Sequence, residues 1–144
     1  MATERIPPQN LEAEESLLGS LLIDTDAIIK IADLVTPEDF YRDAHSKIYN
    51  AILDLFRKRE PIDLLSLASR LEEQHELEAI GGRAALVDLT NAVPTASNVT
   101  HYADIVSKKA TLRRLISVSQ EINALGYETQ EDVGTLLDRA EGRL

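Results

Sequence analysis

No cysteine occurs among the 144 residues, which excludes a disulfide framework and any thiolate metal site. No apolar run approaches the ~18 residues of a membrane span, and Met1-Ala2-Thr3-Glu4-Arg5 leads into no signal-like apolar segment. A soluble cytoplasmic protein without membrane contact is expected. There is no G-x-x-x-x-G-K-[ST] phosphate loop, no G-x-G-x-x-G after a strand, no H-E-x-x-H and no G-x-S-x-G elbow. His45, His75 and His101 stand far apart on different elements and read as helix-start or surface histidines rather than metal ligands. The chain therefore offers no catalytic, cofactor-binding or metal-binding residue. It also lacks any sustained alternating run rich in β-branched and aromatic residues, any repeat and any low-complexity segment, so no strand is expected.

Positive charge is scarce as well. The net charge is −10, and residues 1–80 hold 17 of the acids against 8 bases, whereas residues 81–144 are nearly balanced. An acidic globular part repels phosphate backbones and forgoes the counterion release that drives DNA affinity, so little direct DNA binding is expected and a protein partner is favoured. Lys108, Lys109, Arg113 and Arg114 form the one basic cluster, without interleaved aromatics for base stacking. It reads as a solvated or salt-bridged face. The carboxylate pairs Glu14-Glu15 and Glu72-Glu73 occupy consecutive helical positions, about 100° apart, and read as dipole and solvent charges.

What is present is helix after helix. Ile6-Pro7-Pro8 is extended, and Asn10 reads as the N-cap of a core helix from Leu11 to about Ile23, where Gly19 suggests a close helix crossing. Asp24-Thr25-Asp26 caps a short helix facing inward with Ile28, Ile31, Ala32 and Val35. Thr36-Pro37-Glu38-Asp39 is a compact helix start, and Phe40 and Tyr41 are expected to plug the core. Asp43 is read as the cap of a helix ending near Arg59, Asp63 as the cap of another with the stripe Leu64, Leu67, Ala68 and Leu71. After Gly81-Gly82 a short helix carries Ala85, Leu86 and Leu89.

The stretch 98–144 reads as a two-helix hairpin. Its first helix, with N-cap candidates in Thr95-Ala96-Ser97-Asn98, meets no proline or glycine until Gly126, about 28 residues or roughly 42 Å. Ile105, Leu112, Leu115, Ile116 and Ile122 share one side of it. After the turn Gly126-Tyr127-Glu128-Thr129-Gln130, Val133, Leu136, Leu137, Ala140 and Leu144 form a second stripe. A lone hairpin cannot bury both stripes, so they are either intramolecular core or a surface for another chain. A helix this long outreaches a domain of about 95 residues with a radius of gyration near 12–13 Å, which favours protrusion and self-association. The rhythm runs out at Glu141-Gly142-Arg143-Leu144 without a stop signal, as expected of a fragment. The expected architecture is all-α, a globular domain over 1–97 followed by a protruding hairpin over 98–144.

The opening Ile6-Pro7-Pro8-Gln9-Asn10-Leu11-Glu12-Ala13-Glu14-Glu15-Ser16-Leu17-Leu18-Gly19 strongly resembles the start of bacterial replicative DNA helicases of the DnaB family. In the same order, His45-Ser46-Lys47-Ile48-Tyr49-Asn50-Ala51-Ile52, Pro61-Ile62-Asp63, Leu77-Glu78-Ala79-Ile80-Gly81-Gly82, Tyr102-Ala103-Asp104-Ile105-Val106 and Ile116-Ser117-Val118-Ser119-Gln120-Glu121-Ile122 are similar to later family segments. The resemblance covers nearly the whole chain. It implies an N-terminal helical domain and hairpin, with hairpins pairing from dimer to hexamer in a trimer-of-dimers collar. It further implies docking of the primase C-terminal region and of a helicase loader. The family's motor, a RecA-like ATPase domain using ATP and magnesium, would follow a linker beyond this chain. The expected subunit or primase interface comprises Tyr102, Ile105, Leu112, Leu115, Ile116, Ile122, Val133, Leu136 and Leu137. Of these, Ile116, Ile122 and Leu136 resemble family residues linked to hairpin packing and to the response to primase, and hairpin core is an equal reading of them. Two alternatives stand beside this: a free-standing helical adaptor such as a helicase-binding domain of primase, and a helical DNA-binding regulator, which the charge disfavours.

Overall fold

The computed structural model describes residues 5–93, 98–128 and 131–144, and among these it contains seven α-helices, one 3-10 turn and no strand. The helices are α1 Leu11–Ile23, α2 Ala27–Ile31, α3 Asp43–Arg57, α4 Leu64–Glu73, α5 Gly82–Asn91, α6 Val99–Leu125 and α7 Val133–Arg143. Two compact units result: Gln9–Ala110, and Met1–Pro8 with Thr111–Leu144. The division thus falls within α6, because Val99, Ala103, Val106 and Ala110 are buried in the first unit. The expected boundary after residue 97 lies twelve or so residues earlier, at the start of that helix rather than where its apolar face stops being covered.

In the larger unit α1 is the central helix. Asn10 caps it as expected, its Oδ1 accepting from Ala13 N at 2.9 Å. From Ala13 to Leu21 nearly every residue is buried, which is why small residues alternate with leucines there. Gly19 marks a close crossing: a Cβ on it would lie 2.2 Å from the carbonyl oxygen of Leu89 on α5. Around α1 the core gathers Ile28, Ile31, Val35, Phe40, Ile48, Ile52, Leu55, Leu67, Leu71 and Leu86. Tyr49 is fully buried within it, donating its hydroxyl to the Val35 carbonyl at 2.8 Å, and burial pushes its phenol well above the ordinary tyrosine range.

Local signals set most helix ends. Asp63 Oδ1 accepts from Ser66 N at 2.7 Å and starts α4. α3 and α4 end on residues in the left-handed region, Arg59 (φ 58) and His75 (φ 59), with Glu60 N donating to Leu55 O and Glu76 N to Leu71 O. Gly81 (φ 105) and Gly82 (φ 75) make the left-handed entry to α5. Arg70 on α4 hydrogen-bonds Asp54 of α3 and Glu60, joining the two helices. Three details differ from expectation. Thr36-Pro37-Glu38-Asp39 forms only one 3-10 turn, closed by Thr36 N donating to Asp39 Oδ2, because Phe40 leaves in extended conformation to enter the core. Tyr41, next in the chain, points the other way and is 42% exposed against 5% for Phe40. Asp43 is the first residue inside α3, paired with Lys47 at 3.1 Å, and is not its cap.

Candidate protein interface

The N-cap position of α3 is Arg42, whose side chain caps nothing. Glu14 of α1 instead holds the segment that leads into the helix. Glu14 Oε2 accepts from Tyr41 N at 2.7 Å, and Oε1 accepts from Arg42 N at 3.4 Å and stands 2.8 Å from His45 Nδ1. Glu14 and His45 are 2% and 4% exposed. The expected solvent role of Glu14 is therefore corrected, whereas His45 does stand at a helix start, although buried: the pair is a buried dyad that anchors the Tyr41 and Arg42 amides leading into α3. A signal existed in the sequence, since Glu14 precedes Leu17, Leu18 and Leu21 by three, four and seven residues and so sits on the buried stripe. His75 and His101 are exposed, as expected.

The second unit presents the apolar surface. In α6, Val118, Ile122 and Leu125 are half-buried, as are Leu136 and Ala140 in α7, and an ion pair of Arg143 Nε with Glu121 Oε2 at 3.3 Å links the two helices. A distinct set is left uncovered. Leu112, Leu115 and Ile116 on α6 and Val133 and Leu137 on α7 are exposed, Leu115, Val133 and Leu137 by 63–70%. The nine expected interface residues thus separate three ways. Tyr102 and Ile105 belong to the Gln9–Ala110 unit and pack partly buried against its core, Ile122 and Leu136 are half-buried within the hairpin unit, and the other five are open. α7 has a cap not anticipated from sequence: Asp132 Oδ1 accepts from Thr135 N at 2.7 Å, a bond that holds the Asp132 carboxyl below the usual carboxylate range. The expected N-cap candidates Thr95, Ala96 and Ser97, and turn residues Thr129 and Gln130, lie outside the described residues.

The basic cluster is engaged within the chain. Lys108 pairs with Asp104 at 3.0 Å, Arg113 donates to the carbonyl of Pro8 at 2.8 Å and Arg114 to Thr111 Oγ1 at 2.9 Å. Among the described residues no group of three or more His, Asp or Glu could hold a metal, and no helix is long and apolar enough to cross a membrane.

The family described as DnaB-like helicase N-terminal domain matches residues 6–108. The chain belongs to this family. Along 142 residues it is 43% identical to the replicative DNA helicase DnaB of Geobacillus stearothermophilus, and along 141 residues it is 43% identical to the replicative DNA helicase DnaC of Bacillus subtilis. These alignments take in 99% and 98% of this chain but 31% of each relative, so the chain spans about a third of their length. The crystal structure of the N-terminal domain of DnaB helicase from Mycobacterium tuberculosis superposes with a TM-score of 0.92 at 42% identity, covering 96% of this chain and 97% of that one. A DnaB-like replicative helicase whose structure was described with its interactions with primase superposes at 0.74 and 29% identity over 91% of this chain and 31% of that one. The all-helical fold is thus that of a DnaB N-terminal domain, and the likeness is to the helicase itself rather than to an adaptor that binds it. In the hairpin unit, Leu112, Leu115, Ile116, Val133 and Leu137 form an uncovered apolar set.

Proposed function

We propose that this DnaB N-terminal domain builds the collar of a replicative helicase by pairing its hairpin with that of a second copy, and that the collar docks the C-terminal region of primase. The observation that carries the reading is the exposed set Leu112, Leu115, Ile116, Val133 and Leu137. Covering five such half-exposed side chains on each of two copies returns on the order of 10 kcal/mol, at about 1 kcal/mol each. Association costs roughly 4–15 kcal/mol in lost freedom, so pairing is near balance and depends on concentration and on ring closure. Primase docking is supported by the related helicase described with primase. In the whole protein a linker and a RecA-like motor using ATP and magnesium would follow, and a loader would engage the ring. The dimer-to-hexamer assembly belongs to that whole protein.

The test is sedimentation velocity of the 144-residue chain and of Ile116→Asn across a range of concentrations, together with titration of a labelled primase C-terminal region. The variant should shift the association curve to higher concentration or weaken primase binding, with the helical spectrum of the Gln9–Ala110 unit retained. Unchanged mass and unchanged primase affinity in the variant would overturn the proposal.

A further inference from the structure

A cavity of about 200 Å³ opens in the larger unit beside the Glu14–His45 dyad. Ile48, Ile80, Ala85 and Leu89 make its apolar walls, and His45 lines it while Glu14 does not. Its volume lies below the ~300–1,000 Å³ of small-molecule sites, which suits one long side chain rather than a metabolite.

Its polar groups define what that side chain must bring. Ionised Glu14 can only accept hydrogen bonds, and it already accepts from two backbone amides, so His45 Nδ1 is the donor at 2.8 Å. In the neutral imidazole the other ring nitrogen, Nε2, carries a lone pair on the ring edge away from Glu14. Among the described residues it has no hydrogen-bond partner, and it keeps access to solvent although the side chain as a whole is only 5% exposed. At the rim, Arg42 reaches Glu15 at 3.9 Å, while the exposed Asp88 has no ion pair among the described residues. An acceptor at the wall, a free carboxylate at the mouth and an aliphatic lining complement an alkyl stem ending in a cation.

We propose that this cavity is a receptor for a single arginine or lysine side chain on an exposed segment of a protein partner. The stem lies against Ile48, Ile80 and Leu89, and the head donates to His45 Nε2 and to the Asp88 carboxylate. The proposal does not depend on the hairpin pairing above.

The test is nuclear magnetic resonance on the 15N-labelled 144-residue chain, titrated with Nα-acetyl-arginine methylamide. Parallel titrations use Nα-acetyl-norleucine methylamide and sodium phosphate. Saturable shifts confined to the amides of Ala44, Ala85 and Leu89 and to His45 Nε2 are expected from the arginine probe. Asp88→Asn should weaken the apparent affinity about two- to fivefold, the range an exposed ion pair supports. Equal response to norleucine would make the cavity merely apolar, and a stronger response to phosphate would make it an anion site; either overturns the proposal. So would unsaturable shifts spread over the acidic surface, an unchanged affinity in Asp88→Asn, or a long-range 15N spectrum placing a proton on Nε2 at neutral pH.

Discussion

Alanine at Gly19 tests the central packing of the larger unit with a single methyl group. An ideal Cβ there would lie 2.2 Å from the Leu89 carbonyl oxygen, 2.7 Å from Val93 Cγ2 and 3.1 Å from the Leu89 carbonyl carbon. Non-bonded heavy atoms pack at about 3.5–4.0 Å, so two of these three contacts overlap by roughly an ångström. The nearest atom is backbone and cannot rotate away; α1 and α5 must separate, opening the contacts around Leu89. Overpacking of this kind costs about 1–3 kcal/mol, and the overlap with backbone places Gly19 at or above the top of that range. Alanine's helix propensity returns about 1 kcal/mol, leaving a net loss of about 2 kcal/mol. For a chain of this size that lowers Tm by about 6–10 °C. Gly142→Ala supplies the control, because a Cβ at Gly142 in α7 meets nothing within 4 Å, so propensity acts alone there. Thermal unfolding followed by circular dichroism should show Gly19→Ala clearly less stable than wild type and Gly142→Ala equal or slightly more stable. If the two substitutions behave alike, the close crossing of α1 and α5 does not exist as described.

Glu14→Gln keeps the shape of the side chain but removes the charge and puts an NH2 group in place of one accepting oxygen, facing either Tyr41 N or the pair Arg42 N and His45 Nδ1. Charge-assisted hydrogen bonds to a buried group make this a loss of about 3 kcal/mol, read as a lower urea midpoint with an unchanged slope. Stability should also fall in acid through Asp54. Burial raises its carboxyl, but the hydrogen bond from Arg70 and the charge of Lys58 outweigh that and hold it below its ordinary value of 3.8. The folded state then binds the Asp54 proton less readily than the unfolded chain, so its contribution is complete above 3.8 and disappears as pH falls through the lower folded value. Urea midpoints of wild type and Asp54→Asn should accordingly differ above 3.8 and converge as pH falls well below it. A constant gap would remove Asp54 as the cause.

Local chemistry made much of this fold legible. Asn10 and Asp63 cap the helices they precede, the glycine pair ahead of α5 takes left-handed angles, and Gly19 lies at a crossing. Each of these depends on residues a few positions apart or on the conformational range of one residue. The burial and pairing of Glu14 and His45 were missed because their partnership spans 31 positions, and the neighbouring Glu12 and Glu15 give Glu14 the look of a solvated first-turn charge. Tyr41 followed Phe40 into the expected core because adjacent aromatics carry no signal of direction in a non-helical link. In the hairpin, the stripes were legible but not which of their members face each other. Periodicity names a side of a helix some 100° wide, and the half-buried Leu136 and exposed Leu137 both fall within it.

The missing local cap on α3 ties its entry to another helix. α1, α4 and α7 carry side-chain caps of their own, but the entry to α3 is held by a carboxylate from α1, which binds Tyr41 N and Arg42 N ahead of the helix and His45 in its first turn, 27 to 31 residues further along the chain. Until α1 is docked, the Tyr41 and Arg42 amides and the His45 ring lack this partner; once it is docked, one carboxylate fixes where the chain enters α3. The position of the α3 entry thereby depends on α1. An N-terminal truncation that removes Glu14 takes away this anchor of the α3 entry along with part of α1.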